Sequence, residues 1–253
     1  MKKRKSKRLI RKQKINKIKL IFFICLIVAV AIGIYNGVKS DKKTAETVNY
    51  NSADKIDKCI VIDAGHGGEE EPGCIFNNIY EKTICLQIAE KLQEKLEKEY
   101  IKVVMTRTED INVYLNERAR IANREGADIF ISIHQNALEN DSVTSGIETW
   151  YNPVKDVQSK ILAKNIQENI IEATSANDLG IKESEELIVI KNTQMPSCLV
   201  ETGFLSSTEE RKKLISSDYQ NKIVEGIYNG IESYFNSIEE LEYNSNNINV
   251  NNV

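Results

Sequence analysis

Between residues 55 and 239, short apolar runs of strand length alternate with amphipathic runs of helix length, and few folds accommodate that alternation. Residues 59–62 (CIVI) form a buried-strand run that ends in Asp63-Ala64-Gly65-His66-Gly67-Gly68. From Glu81 the pattern turns helical, with Ile84, Ile88, Leu92 and Leu96 spaced by four on one face. Residues 102–107 (KVVMTR) read as the next strand and 115–124 as the next helix. Residues 128–134 (DIFISIH) and 146–151 (GIETWY) are two more strands, followed by a helix over 155–174. Further strands are expected over 187–190 and 198–200, and an amphipathic helix over 219–235 closes the domain. Such alternation implies an α/β sheet with helices on both faces. There is no internal repeat and no GxxxxGK or GxGxxG loop to cradle a phosphate.

A chain of 253 residues holds one such domain plus appendages. The net charge of −3 hides an asymmetry: residues 1–19 contain eleven Lys or Arg and no acid, so the remainder carries −14. A basic tip on an acidic body is a topological signal more than a nucleic-acid signal, and no nucleic-acid partner is expected. An apolar run follows over 20–35 and extends to Val38. A stretch of about 18 apolar residues is the minimum that spans a bilayer as a helix. Residues 33–40 (GIYNGVKS) offer no convincing A-x-A-like cleavage site, and the flanking cations argue against a buried core helix. The expectation is therefore an uncleaved transmembrane signal anchor over 20–38. Residues 1–19 would be cytoplasmic and the rest extracytoplasmic, in a single-pass protein of the cell membrane. Residues 39–54 read as a linker, 55–239 as the globular domain, and the Asn-rich 240–253 as a disordered tail. Cys59, Cys74, Cys85 and Cys198 show no zinc-finger spacing; outside the cell a disulfide is open to them, and free or partly buried thiols are the favoured reading.

The chain has two histidines, His66 and His134, each at the C-terminal end of an expected strand. In open α/β sheets that edge is where ligands bind. A lone histidine in such a place is more often structural; two of two at equivalent strand ends point to a site. A catalytic zinc takes three protein ligands and keeps one position open for water, and two histidines with one carboxylate form such a set. The carboxylate candidates are Glu69, Glu70, Glu71, Glu81 and Glu201. Glu81 begins a helix, where its side chain can be aimed back at the strand ends, although the helix dipole favours acids there in any case. Glu201 stands between an apolar strand and Thr202-Gly203-Phe204, as a loop cap or a general base.

Six segments occur in order: VIDAGHGG (61–68), EKTICLQIA (81–89), MTR (105–107), LNERARIAN (115–123), ADIFISIHQNA (127–137) and LVETGFLS (199–206). Together they resemble the zinc-dependent N-acetylmuramoyl-L-alanine amidases of the amidase-3 type, over about residues 58–235. The resemblance implies a mostly parallel sheet of about six strands, flanked by helices. It also implies hydrolysis of the amide between N-acetylmuramic acid and L-alanine in peptidoglycan. His66, Glu81 and His134 match the family's Zn2+ ligands and Glu201 its catalytic glutamate. Arg107, Arg118 and Asn136 come from matching motifs and are expected to support the site or contact substrate. The family often has Pro where Ala64 stands, Gly at Asn77 and Asn78, Ala at Gln135 and Asn at Ser207. The compact form, with about ten residues between His134 and the next strand, is similar to amidases that trim spore cortex. Two other readings are a catalytically inactive relative that binds glycan or a partner, and a zinc peptidase cutting elsewhere on the stem peptide. An open three-ligand site further suggests a regulatory protein that stabilises zinc through the loops at 69–80 or 135–145.

Overall fold

A computed structural model describes residues 58–250. The six-stranded sheet contains β1 (Cys59–Ala64), β4 (Lys102–Met105), β5 (Ile129–Asn136), β6 (Ile147–Tyr151), β7 (Asp178–Glu183) and β8 (Ser197–Phe204). A short hairpin is formed by β2 (Ile75–Phe76) and β3 (Ile79–Tyr80). The sheet order is β4-β1-β5-β8-β6-β7. Every neighbouring pair is parallel except β6 with β8, so β6 and β7 run against the other four. The expected α/β domain with a mostly parallel six-stranded sheet is the observed one.

Alternation along the strands divides the core in two. Ile60, Ile62, Ile129, Ile131, Ile133, Cys198 and Val200 point to one face. There they meet α1 (Glu81–Lys98), α3 (Val157–Thr174) and α6 (Ser217–Val250). The spacing of Ile84, Ile88, Leu92 and Leu96 puts all four on the buried stripe of α1. Gly226 and Gly230 allow α6 to lie directly on α3. A Cβ at these positions would come 2.4 Å from the Ile170 Cα and 2.7 Å from the Ile166 Cα. The opposite face buries Val61, Phe130 and Leu199 under Ala122 of α2 (Leu115–Glu125) and Val189 and Ile190 of α4 (Ile188–Lys191).

Several elements differ from the sequence reading. Residues 187–190, expected as a strand, supply the N-cap Leu187 and the first three residues of the one-turn α4. An apolar run of four fits a strand or a buried helical turn equally well. Both edges of β8 are already taken by β5 and β6, so the sheet has no place for it beside β8. The polar edge strand β7 carries too little alternation to announce itself. The hairpin β2–β3 turns on Asn77 (φ 51) and Asn78 (φ 64), a two-residue loop of the type that requires positive φ at both positions. Asparagine tolerates that conformation better than other non-glycine residues, which explains Asn where the family often has Gly. A further helix, α5 (Thr208–Leu214), is capped by Ser207, whose side chain accepts from the Glu210 amide. The S-x-x-E pattern of residues 207–210 is the sequence signal that marks it. Residues 240–250, expected as an unstructured tail, continue α6, which meets no Gly or Pro after Gly230.

Among the described residues, no helix is long and apolar enough to cross a membrane. The longest, α6, carries Lys222, Glu225, Glu232, Glu239 and Glu240 along its length. The expectation of a single-pass membrane protein is corrected on that finding. The segments at 1–19, 20–38 and 39–54 lie outside the described residues.

Candidate active site

The ends of β1 and β5, the middle of β8 and the start of β6 come level at one edge of the sheet. His134 pairs with Glu201 across β5 and β8, and Glu148 pairs with Glu201 across β6 and β8. Directly paired residues share a face, so His134, Glu201 and Glu148 stand in a row on successive strands. The His134 ring packs over Gly65, just past β1. A Cβ on Gly65 would come within 2.4 Å of the imidazole, so only glycine leaves the ring room. The chain then turns through His66 (φ 58) and Gly67 (φ 133).

Glu81, the first residue of α1, reaches back into this corner. Its Oε1 lies 3.1 Å from His66 Nε2 and 3.1 Å from His134 Nδ1. The same oxygen accepts from the Gln135 amide at 3.1 Å, while Oε2 accepts from the Cys74 amide at 2.9 Å. One donor atom from each of His66, Glu81 and His134 lies within 4.8 Å of the other two. Zinc with bonds of about 2.0–2.1 Å holds tetrahedral donors about 3.3 Å apart, so the donor types and most of the spacing fit that ion. Burial would raise the Glu81 pKa, but hydrogen bonds and charge from His134 and His66 outweigh it and hold the carboxyl far below the usual range. Glu69, Glu70 and Glu71, the other carboxylates weighed near His66, are exposed and outside the cluster.

Glu201 sits in the opposite environment. Its Oε2 is closed off from solvent and has no hydrogen-bond partner. Burial, then the charges of Glu81 and Glu148, push its pKa well above the ordinary carboxylate value. A carboxyl kept hungry for a proton, one strand from a cluster of metal-type donors, is equipped to move protons.

The two arginines lie beneath the β1 turn and bind its backbone. Arg118 donates to the Ala64 carbonyl at 2.7 Å and the His66 carbonyl at 2.9 Å, and pairs with Asp63 at 2.8 Å. Arg107 donates to the carbonyls of Ala64, Gly65 and Lys82 at 2.8–2.9 Å. These contacts fix the loop that carries His66. Asp63 is completed by Thr106 Oγ1 and Ser132 Oγ. Burial opposes its ionisation, yet Arg118 and the two hydroxyls hold its pKa below the usual value. Asn136 belongs to another corner, where its amide donates to Glu148 Oε1 at 2.9 Å. Asp63 and Glu148 escaped the sequence reading, although each is a carboxylate inside an otherwise apolar strand run. The four described cysteines are free thiols, as expected, and Cys74 packs beside Glu81.

The family described as Amidase_3, N-acetylmuramoyl-L-alanine amidase, matches residues 60–233. The sporulation-specific N-acetylmuramoyl-L-alanine amidase of Bacillus subtilis is 35% identical over 179 residues, covering 70% of this chain and 68% of that protein. Among solved structures, an N-acetylmuramoyl-L-alanine amidase from Clostridium difficile 630 superposes with a TM-score of 0.69 at 41% identity, covering 71% of this chain and 97% of that one. The CwlD amidase from Clostridioides difficile, solved in complex with the GerS lipoprotein, gives 0.68 at 35% identity, covering 72% and 100%. The motifs, the fold and these likenesses agree: the chain belongs to the amidase-3 family of N-acetylmuramoyl-L-alanine amidases.

Proposed function

We propose that this protein hydrolyses the amide between N-acetylmuramic acid and L-alanine in peptidoglycan with zinc held by His66, Glu81 and His134. Glu201 is the proton carrier in this reading. The observation that carries it is the placement of a buried carboxyl with a partnerless oxygen beside a His2Glu donor set. When bound, zinc supplies a lowered pKa for water, a polarised scissile carbonyl and positive charge against the carboxylates of the site. Glu201 Oε2 takes a proton from the attacking water and returns it to the scissile nitrogen, so that the C–N bond breaks and L-alanine leaves with a free amino end. Arg118 and Arg107 keep His66 in place by holding the carbonyls of residues 64–66. The Cys74 and Gln135 amides orient Glu81.

Two extensions belong to this reading. The likeness to a sporulation-specific amidase and to CwlD supports a role in spore cortex. CwlD was solved with a lipoprotein partner, which supports a protein partner here too, one that steadies the loops at 69–80 or 135–145. Muropeptide mass spectrometry tests the main claim. The amidase releases intact stem peptides with an L-alanine amino end. A peptidase would release shortened ones, and an inactive relative none. Zinc titration of the purified protein tests the partner: tight binding by the protein alone removes the need for one.

A further inference from the structure

The row across the sheet has a direction. The donor cluster lies at β1, α1 and β5, Glu201 on β8, and Glu148 one strand further on β6. Neighbouring strands are about 4.8 Å apart, so Glu148 lies roughly 10 Å from His134. In the proposed reaction the scissile carbonyl belongs near the donor cluster, and the scissile nitrogen must come within reach of Glu201. The next atoms on the nitrogen's side, those of L-alanine, then pass toward β6.

Glu148 is built to wait there. It is 8% exposed. Its Oε1 accepts from Asn136 Nδ2 at 2.9 Å and from Trp150 Nε1 at 3.1 Å. These bonds fix the carboxylate plane and leave Oε2 without a hydrogen bond among the described residues. A nearly buried carboxylate with one oxygen pinned and one open is matched to a cationic N–H donor.

We propose that Glu148 receives the amino group of L-alanine as it is released and so holds the stem-peptide side of the cleaved bond. This rests on the amidase reading above. No bond to Glu148 forms or breaks: as the C–N bond opens, the nitrogen gains one proton from Glu201, the new lactyl carboxylic acid gives up its own proton to the freed amine, and the resulting ammonium is held by Glu148 Oε2. Trp150 and Asn136 are positioning residues that act through Glu148.

The test is a binding measurement on the zinc-loaded full chain, with L-alanyl-γ-D-glutamate as probe and its N-acetylated form as control. The wild type is expected to bind the free-amine form about tenfold more tightly, as expected for a charge-assisted hydrogen bond of about 1.4 kcal/mol. Glu148→Gln keeps an acceptor for Asn136 and Trp150 but loses the charge, and should bind both forms equally. Trp150→Phe should lose part of the preference, which guards against a Glu148 variant that fails to fold. An amine that merely ligates zinc would keep its preference in Glu148→Gln. That outcome, equal binding by the wild type, or binding of neither form overturns the proposal. Absence of stem peptides from digested peptidoglycan, with the probe preference intact, would instead count against the amidase reading alone.

Discussion

Glu81 and Glu201 are two carboxyls drawn into the same site, and their surroundings push them in opposite directions. Glu81 is met by two imidazoles and two backbone amides, and its charge is welcome. Glu201 faces Glu81 and Glu148, has one oxygen with no partner, and has its pKa pushed up by burial and by those two charges. The first corner is organised to bind something positive, the second to exchange a proton. Burial is common to both, so it is the neighbours that decide which carboxyl does which work.

The sharpest way to break this contrast is to make the same small change at both positions. Glu201→Gln should leave zinc bound and the fold intact while lowering turnover by about 10²–10⁴, the usual contribution of a positioned acid–base group. Glu81→Gln should lose zinc and turnover together, as should His66→Ala and His134→Ala. Metal analysis beside a turnover assay reads both. Zinc lost from Glu201→Gln and kept by Glu81→Gln would exchange the two roles.

A second change strikes only the Glu81 side. Arg118→Leu removes the partner of the fully buried Asp63 and frees the Ala64 and His66 carbonyls. Breaking one half of a buried pair costs about 3–5 kcal/mol. Urea unfolding should show a loss of that size, with zinc affinity falling as His66 loses its support. An unchanged midpoint would mean that Asp63 finds another partner.

How far the sequence revealed this arrangement differs between the two corners. His66, Glu81 and His134 are rare or distinctively placed residues at strand and helix ends, where position alone suggests chemistry. The parallel sheet was equally legible, because strands buried on both faces, such as 129–133 with its single Ser132, read as nearly continuous apolar runs. Glu148 was not legible. Its importance comes from pairing with Glu201 across an antiparallel junction between β6 and β8, a relation that no local pattern encodes. The supporting role of Arg118 could be guessed, but its targets could not, since they are backbone carbonyls more than fifty residues away. Residues 187–190 failed for a third reason: an apolar run of four fits a strand or a helical turn, and that both sides of β8 are already paired is a property of the whole fold.

The contrast also predicts opposite responses to pH in the metal-free protein. Glu81 and Asp63 have folded pKa values below their unfolded ones, so their contribution is present above about pH 4 and is lost as the pH falls. Glu201 has a raised folded pKa, so its contribution is present below about pH 4 and is lost as the pH rises toward that folded value. Glu201→Gln should therefore make the metal-free protein more stable at neutral pH, and Glu81→Gln less stable. Thermal melts with chelator at pH 4 and pH 7 provide the check. Equal and same-signed shifts would show that the two carboxyls are not differently poised.

The smallest effect is expected where the Glu201 corner is tied to the helix behind it. Ser207 caps α5, and the first turn of that helix presents Glu210, whose carboxylate accepts from the Gly146 amide at 3.0 Å and the Phe204 amide at 2.7 Å. Those two amides belong to the loop entering β6 and to the end of β8, the strands that carry Glu148 and Glu201. Ser207→Ala removes one cap, which typically costs about 1 kcal/mol. Arg211 still holds the Leu205 and Ser206 carbonyls, so α5 should remain in place and loosen only at its first turn. Turnover should fall severalfold, through a less steady β6–β8 junction, while zinc affinity stays at the wild-type value because no donor to the metal cluster comes from α5. Asn at this position is an equally good cap and should restore both stability and turnover. If Ser207→Ala weakened zinc binding as much as turnover, the two corners would be mechanically one unit, and the division between them would not hold.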